Sequence, residues 1–273
     1  MQKPSSPKSH RTLFISDLHL GSARFQAHRL RDFLSHNPAD TVFLVGDIFD
    51  FWSLRAGAVW APAHTAILQS FCRMVDSGQR IVLIPGNHDE HISLFVGHHV
   101  DGIEIAREII HETATGERLL VHHGHRLDET AGWSAAWAHH ACAWRERADR
   151  IVAPAGRRAA KRRRDGNSGP WQWIRRSVGG VARLERALID EARARGLDGV
   201  ICGHTHIPAD REIAGLHYLN CGDWVTNCTA ITEDWSGRLE LRHWPEAAPR
   251  SHARDAEPCL GYALGRDTYR ELR

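Results

Sequence analysis

With 273 residues, 42% of them hydrophobic and 25% charged, the chain is long enough to bury one large core, or one core carrying an inserted cap. A formal net charge of +2 is too small to indicate a nucleic-acid partner; no run approaches the ~18 apolar residues of a spanning helix, and no leader has the signal-peptide pattern. Six cysteines show neither a Cys-x-x-Cys pair nor a disulfide framework, so a reduced, cytoplasmic protein is expected, and the unusual feature is twenty histidines, imidazole being the commonest metal ligand.

Residues 1–10 read as a loose leader. The apolar run Leu13-Phe14-Ile15 reads as a strand leading into Ser16-Asp17-Leu18-His19-Leu20-Gly21. Asp17 and His19 are two residues apart, so a strand continuing this far sends both side chains from one face. Phe25 to His36 has helical apolar spacing, and Thr41 to Val45 is a second strand ending in Gly46-Asp47. Ala63 to Asp76 reads as a helix stopped by Gly78. Arg80 to Ile84 is a third strand, ending in Pro85-Gly86-Asn87-His88-Asp89, and Arg118 to His122 a fourth, ending in His123-Gly124-His125.

Between His125 and Leu197 the strand pattern stops. Trp133, Trp137 and Trp144 have helical spacing, a basic run follows (Arg157, Arg158, Lys161 to Arg164), then Trp171, Trp173, Arg175 and Arg176. An amphipathic helix from Val181 to Ala194 closes the stretch at Gly196, and the whole reads as a helical insertion over the strand ends. Gly199 to Cys202 is a further strand, ending in Gly203-His204-Thr205-His206. Short segments at Leu216–Leu219, Thr229–Thr232 and Arg238–Arg242 read as antiparallel strands. The expected organisation is a core of 11–126 and 197–245, an insertion of 127–196, and loose tails at 1–10 and 246–273.

Strand–helix alternation places functional groups at the carboxyl ends of strands. Five strand ends present metal-type side chains: Asp17 with His19, Asp47, Asn87, His123, and His204 with His206. Any one of them alone is an ordinary polar end to a strand; five at the same ends point to a metal centre. An aspartate can bridge two ions ~3.5–4 Å apart, and imidazole, carboxylate and one amide oxygen suit Mn²⁺, Fe or Zn²⁺ better than Mg²⁺ or Ca²⁺. Metal binding draws the pKa of water from 15.7 towards ~7, so such a centre needs no side-chain nucleophile.

The ordered set Asp17-Leu18-His19, Gly46-Asp47, Gly86-Asn87-His88-Asp89, His123-Gly124 and Gly203-His204-Thr205-His206 resembles the calcineurin-like metallophosphoesterases. The resemblance implies an α/β fold, a four-layer αββα sandwich of two sheets flanked by helices, with a cap. It also implies two divalent ions: one held by Asp17, His19, Asp47 and His206, the other by Asp47, Asn87, His123 and His204. His88 would contact the phosphoryl group and protonate the leaving oxygen. Asp89 either orients His88 or caps the following helix. Asp50 and Asp223 are candidates for partners of ligand histidines, with surface or turn roles as the alternative.

Gly46-Asp47-Ile48-Phe49-Asp50-Phe51-Trp52 and Asn220-Cys221-Gly222-Asp223-Trp224, with the insertion, are most similar to the UDP-2,3-diacylglucosamine diphosphatase family of lipid A synthesis. That resemblance implies cleavage of a nucleotide-linked diacyl sugar to UMP and a lipid sugar phosphate. Two positions depart from it: the family commonly has Gly-Asn-Arg-Asp where this chain has His88, and His-Gly-Asp where it has His125. The basic run and tryptophans of the insertion suit peripheral contact with an anionic membrane, at the inner face of the inner membrane; packing of the tryptophans against the core and a solvated arginine loop is the alternative. A nuclease of the same superfamily and a non-catalytic scaffold are the rival functions; no nucleic acid is expected as partner.

Overall fold

The computed structural model describes residues 10–130 and 170–245. Trp133, Trp137, Trp144, the basic run at 157–164 and the tail beyond 245 lie outside the described residues.

A seven-stranded sheet carries β1 (His10–Ile15), β2 (Ala39–Val45), β3 (Arg80–Ile84), β4 (His99–Val100), β5 (Ile103–Ile105), β11 (Thr229–Glu233) and β12 (Leu239–His243), in the order β12-β11-β1-β2-β3-β5-β4. Its centre, β1-β2-β3-β5, is parallel, while β11, β12 and β4 are antiparallel to their neighbours. A five-stranded sheet carries β6 (Ile109–Glu112), β7 (Arg118–Val121), β8 (Gly199–Cys202), β9 (Ala209–Ile213) and β10 (Leu216–Asn220), in the order β6-β7-β8-β10-β9. Here β7, β8 and β10 are parallel and the edges antiparallel.

Strand alternation sorts the apolar residues into three cores. Phe14, Phe43, Val82 and Ile84 face Leu119, Val121, Ile201 and Leu219 between the two sheets. The opposite face of the larger sheet, through Leu13, Ile15, Val42, Leu44, Ile81 and Leu83, packs on α1 (Ala27–His36) and α3 (Pro62–Asp76). The outer face of the smaller sheet, through Leu120, Val200 and Tyr218, packs on Leu184, Leu188, Ile189 and Ala192 of α5 (Pro170–Ala194). Three cores separate four layers, α/β/β/α.

Local signals explain the helices. Leu30, Phe33 and Leu34 give α1 one apolar stripe, and the Asn37 backbone N–H and side-chain amide both donate to the Phe33 carbonyl at its end. α3 opens on Pro62, whose missing N–H costs nothing at a helix start, and ends at Gly78, which adopts φ +86°. Two short helices complete the described set: α2 (Phe51–Arg55), capped by the Asp50 carboxylate on the Ser53 N–H, and α4 (His125–Thr130). The sequence pattern missed α2, β4, β5, β6 and β9, none of which carries more than two consecutive apolar residues. It also treated the helix before Leu197 as part of the insertion, whereas residues 184–192 supply the outer layer over the smaller sheet.

Candidate metal centre

The first two motifs are zipped together beyond the strands. The Asp17 N–H donates to the Gly46 carbonyl at 3.0 Å, His19 to Asp47 at 2.9 Å, and Leu20 to Ile48 at 2.8 Å. β1 has already ended at Ile15, so pleat alternation does not aim Asp17 and His19. Both have positive φ, 53° and 54°, as do Asp47 (52°), His204 (69°) and His206 (58°). A left-handed backbone at a non-glycine residue costs on the order of 1–3 kcal/mol and is concentrated at functional sites. Five such residues at the ends of β1, β2 and β8 turn their side chains to one place.

Three overlapping groups of close ligand atoms result: Asp17, His19 and His206; His19, Asp47 and His88; and Asp17, Asp47 and His123. His206 Nε2 is 3.2 Å from Asp17 Oδ1 and 3.3 Å from His19 Nε2. Asp47 Oδ1 accepts the His88 N–H, leaving Oδ2 facing His123 Nε2 at 3.8 Å, His19 Nε2 at 3.9 Å and His88 Nε2 at 4.0 Å. Neighbouring ligand atoms around an ion at ~2.0–2.1 Å stand about 3.0–3.4 Å apart, and these separations begin within that range and run somewhat beyond it. His204 belongs to none of the three groups; its N–H donates to Asp17 Oδ2 at 3.1 Å and its ring lies 5.2 Å from that of His123.

The donor set fits cations. Asp17 Oδ1, Asn87 Oδ1 and His123 Nε2 are buried without a hydrogen-bond partner, which is costly unless an electrophile supplies one. Burial, reinforced by the Asp17 and Asp89 charges, pushes Asp47 well above the usual carboxylate range. Burial also acts upward on Asp17, but His206 and His123 overcome it and hold that carboxyl well below its ordinary value. Burial, with the like charges of His88 and His206, lowers His19 to about 3, and burial lowers His123 to about 4, so both offer lone pairs at neutral pH.

Carboxylates stand behind the imidazoles, as is usual for metal-binding histidines. Asp223 Oδ2 is 3.3 Å from His206 Nδ1 while its Oδ1 accepts from the N–H groups of Val225, Thr226 and Asn227, and it is held at about 2: burial opposes ionisation, but His206 and these bonds outweigh it. Asp50 Oδ2 is 3.7 Å from His19 Nδ1, and its Oδ1 is 3.0 Å from His88 Nδ1. The Trp52 ring lies 3.9 Å from that of His88. Asp50 and Asp223 serve both roles left open for them: each backs a histidine of the centre, and each also ties down its own loop, Asp50 at the start of α2 and Asp223 at the N–H groups that follow it.

Asp89 has neither role anticipated for it. It sits at the start of the 3₁₀ turn Glu90–Phe95 but makes no side-chain cap bond there, and the group bonded to His88 is Asp50. Its carboxylate instead accepts from the N–H groups of Gly86, Ile48 and Phe49, at 2.6, 2.8 and 3.1 Å, pinning the third motif to the second. Burial raises it to about 6 against those bonds. Asn220 does the same between the last two motifs, donating to the Gly203 carbonyl at 2.8 Å and accepting from the Gly222 N–H at 2.9 Å. His125, which is not among the ligands that the sequence nominates, meets His123 Nδ1 to Nδ1 at 3.1 Å. Gly124, at φ +115°, makes the turn that allows this.

A two-sheet sandwich with buried acids and imidazoles gathered at its strand ends defines a metal-dependent hydrolase centre. Residues 10–208 match the calcineurin-like phosphoesterase family. The chain is 26% identical over 260 residues to a UDP-2,3-diacylglucosamine hydrolase of Nitrosococcus oceani, covering 93% of this chain and 99% of that one. It is 28% identical to proteins of the same name from Xanthomonas campestris pv. campestris (83% of this chain, 96% of that one) and Aeromonas salmonicida (87% and 96%). The chain belongs to the calcineurin-like phosphoesterase family, and it is a metal-dependent phosphoester hydrolase.

Proposed function

We propose that the protein cleaves the diphosphate of UDP-2,3-diacylglucosamine, releasing UMP and a lipid sugar phosphate. The observation that carries the reading is the meeting of Asp17, His19, Asp47, His123 and His206 in one buried centre, in a chain matched along most of its length by proteins of that name. Asp17, His19, Asp47 and His206 would hold one ion and Asp47, Asn87, His123 and His204 the other, with Mn²⁺ suited to the mixed donor set. Bound there, two divalent ions supply Lewis acidity and activate water for in-line attack on phosphorus.

The chain's own groups do the rest. Asp50 accepts at His88 Nδ1 and Trp52 lies against the ring, so Nε2 is the nitrogen that faces the site and, with the ring in its imidazolium form, can deliver a proton to the leaving oxygen. Asp89 and Asn220 keep the loops from spreading as charge builds on the phosphoryl oxygens. Phe51, Leu54, Arg55 and His91 line an open cavity of about 440 Å³, mostly apolar with one guanidinium, which suits part of an amphiphilic substrate. Leu94 and Phe95, in the same 3₁₀ turn as His91, are exposed, in keeping with work at the inner face of the inner membrane. No helix among the described residues is long and apolar enough to cross a membrane.

The test is hydrolysis by Mn²⁺-loaded protein of UDP-2,3-diacylglucosamine beside bis(p-nitrophenyl) phosphate, DNA and RNA. Selective release of UMP is expected. Cleavage of nucleic acid with no UMP from the lipid would overturn the substrate in favour of a nuclease.

A further inference from the structure

His123 and His125 are separated by a single glycine, and both rings are buried. His123 turns Nε2 into the centre, 3.6 Å from Asp17 Oδ1, and Nδ1 away from it, to His125 Nδ1 at 3.1 Å. The other nitrogen of His125 is 3.1 Å from Glu90 Oε2. Glu90 follows directly on Gly86-Asn87-His88-Asp89, so its backbone is placed by the three bonds to Asp89, and the Ser93 hydroxyl donates to its second carboxylate oxygen at 3.4 Å. An acid from the third motif thus reaches a ligand of the fourth through an imidazole.

Hydrogen-bond polarity follows from the ends of this chain. A carboxylate only accepts, so His125 Nε2 carries a proton and donates to Glu90. A neutral imidazole then has its lone pair at Nδ1, and the facing nitrogen, His123 Nδ1, must be the donor. That leaves His123 Nε2 with a lone pair aimed at Asp17 and Asp47, where its atom is buried and otherwise unpartnered. Metal-binding histidines are commonly fixed in this way by a carboxylate, a carbonyl or water on the second nitrogen. Here an imidazole is interposed, because Glu90 lies one ring too far to reach His123 itself.

We infer that Glu90 and His125 form a positioning relay that sets the tautomer and ring plane of His123 for the second ion. The inference rests on the two-ion reading above. Both residues act through His123, and neither needs to touch substrate. His125 stands where an aspartate is common in the family that this chain resembles.

Co²⁺ alone is the probe. The metal-stripped full chain is titrated while stoichiometry, stepwise affinity and the visible d–d absorption are followed, with thermal melting as the check on folding. The unsubstituted chain is expected to take up two ions. Glu90→Ala, at a half-exposed side chain, should melt as the apo parent does and bind the second ion about 10-fold more weakly; His125→Leu should lose up to ~100-fold. His125→Asp should recover parental affinity, since its carboxylate accepts directly from His123 Nδ1–H. In that background Glu90→Ala should have no further effect. Unchanged second-ion affinity and Co²⁺ spectrum in Glu90→Ala and His125→Leu would overturn the relay and leave two-ion binding standing. Fewer than two ions on the unsubstituted chain would overturn the two-ion reading and the relay together. If His125→Leu does not fold, Glu90→Ala alone and in the His125→Asp background decides the matter.

Discussion

Gly86→Ala tests how tightly the centre is built. Gly86 lacks a positive φ, so alanine adds no backbone strain there, and its effect is purely steric. The new Cβ would stand 2.5 Å from the Asp47 backbone nitrogen, 2.7 Å from His123 Cε1, and closer still to Asp47 Oδ1, against 3.4–4 Å for ordinary contact. A side chain can swing aside, but the Asp47 nitrogen cannot move without the end of β2, so relief requires a shift of about 1 Å in the backbone that carries the central acid. Overpacking of this kind costs about 1–3 kcal/mol in stability. Ligand distances tolerate only ~0.2 Å, and a 1 Å misplacement of catalytic groups is worth about 10²-fold in rate. Gly86→Ala should therefore stay folded by circular dichroism, bind less than two metal ions per chain by elemental analysis, and turn over about 100-fold more slowly. Full metal content with turnover within about 3-fold of the parent would refute the packing argument.

Three further predictions concern charge and metal. Asp47→Ala should abolish hydrolysis and lower metal content, because it removes the acid shared by both halves of the centre, whereas His88→Ala should keep its metal and lose turnover; metal loss in the second variant would reassign His88. Glu233, with a fully buried side chain, accepts from Thr12 at 2.7 Å, from the Ala114 N–H at 2.9 Å and from Arg11, and it pairs with His111 at 2.8 Å across the two sheets. Burial pushes it up, but these partners hold it at about 2, below its ordinary value of 4.5. A depressed acid stabilises the fold above pH ~4.5 and loses that contribution as pH falls through ~2, and the contribution is worth roughly 3 kcal/mol at pH 7. Glu233→Gln should lower the urea midpoint at pH 7, with the gap to the parent shrinking as pH falls from 4.5 towards 2; equal midpoints at pH 7 would discount the network. Removing metal with a chelator should lower the melting temperature and Mn²⁺ should restore it, by about 2.7 kcal/mol at 100-fold over Kd; a melting temperature indifferent to Mn²⁺ would show that the left-handed loops hold themselves.

Most of the strands and the order of the motifs were legible in the chain because each depends on local pattern. β3 and β8 have the bounds their apolar runs suggest, and α1 and α3 begin and end within two residues of their stripes and stop signals. α2, β4, β5, β6 and β9 were not legible, since none of them carries more than two consecutive apolar residues, whereas β3, β7 and β8 are short but marked by apolar runs of three or more. At the site, residue types at strand ends were enough to nominate Asp17, His19, Asp47, Asn87, His123, His204 and His206, and the family resemblance added His88. They were not enough to say how those residues meet, because the aim of a side chain depends on φ, and five of the eight sit at φ values that their residue types seldom adopt.

What the amino-acid sequence determined by itself was the chemistry: which donors stand at strand ends, in which order, and hence the phosphoesterase class. Only the tertiary structure decided the division of labour among the supporting acids. Asp89 and Asp50 both lie within three residues of a motif core, yet Asp89 braces backbone N–H groups while Asp50 orients His88, and Glu90 reaches His125 from a separate loop. Those assignments depend on contacts between segments 35 to 41 residues apart, which no spacing along the chain encodes. They arise only when the two sheets close face to face and bring the loop ends together.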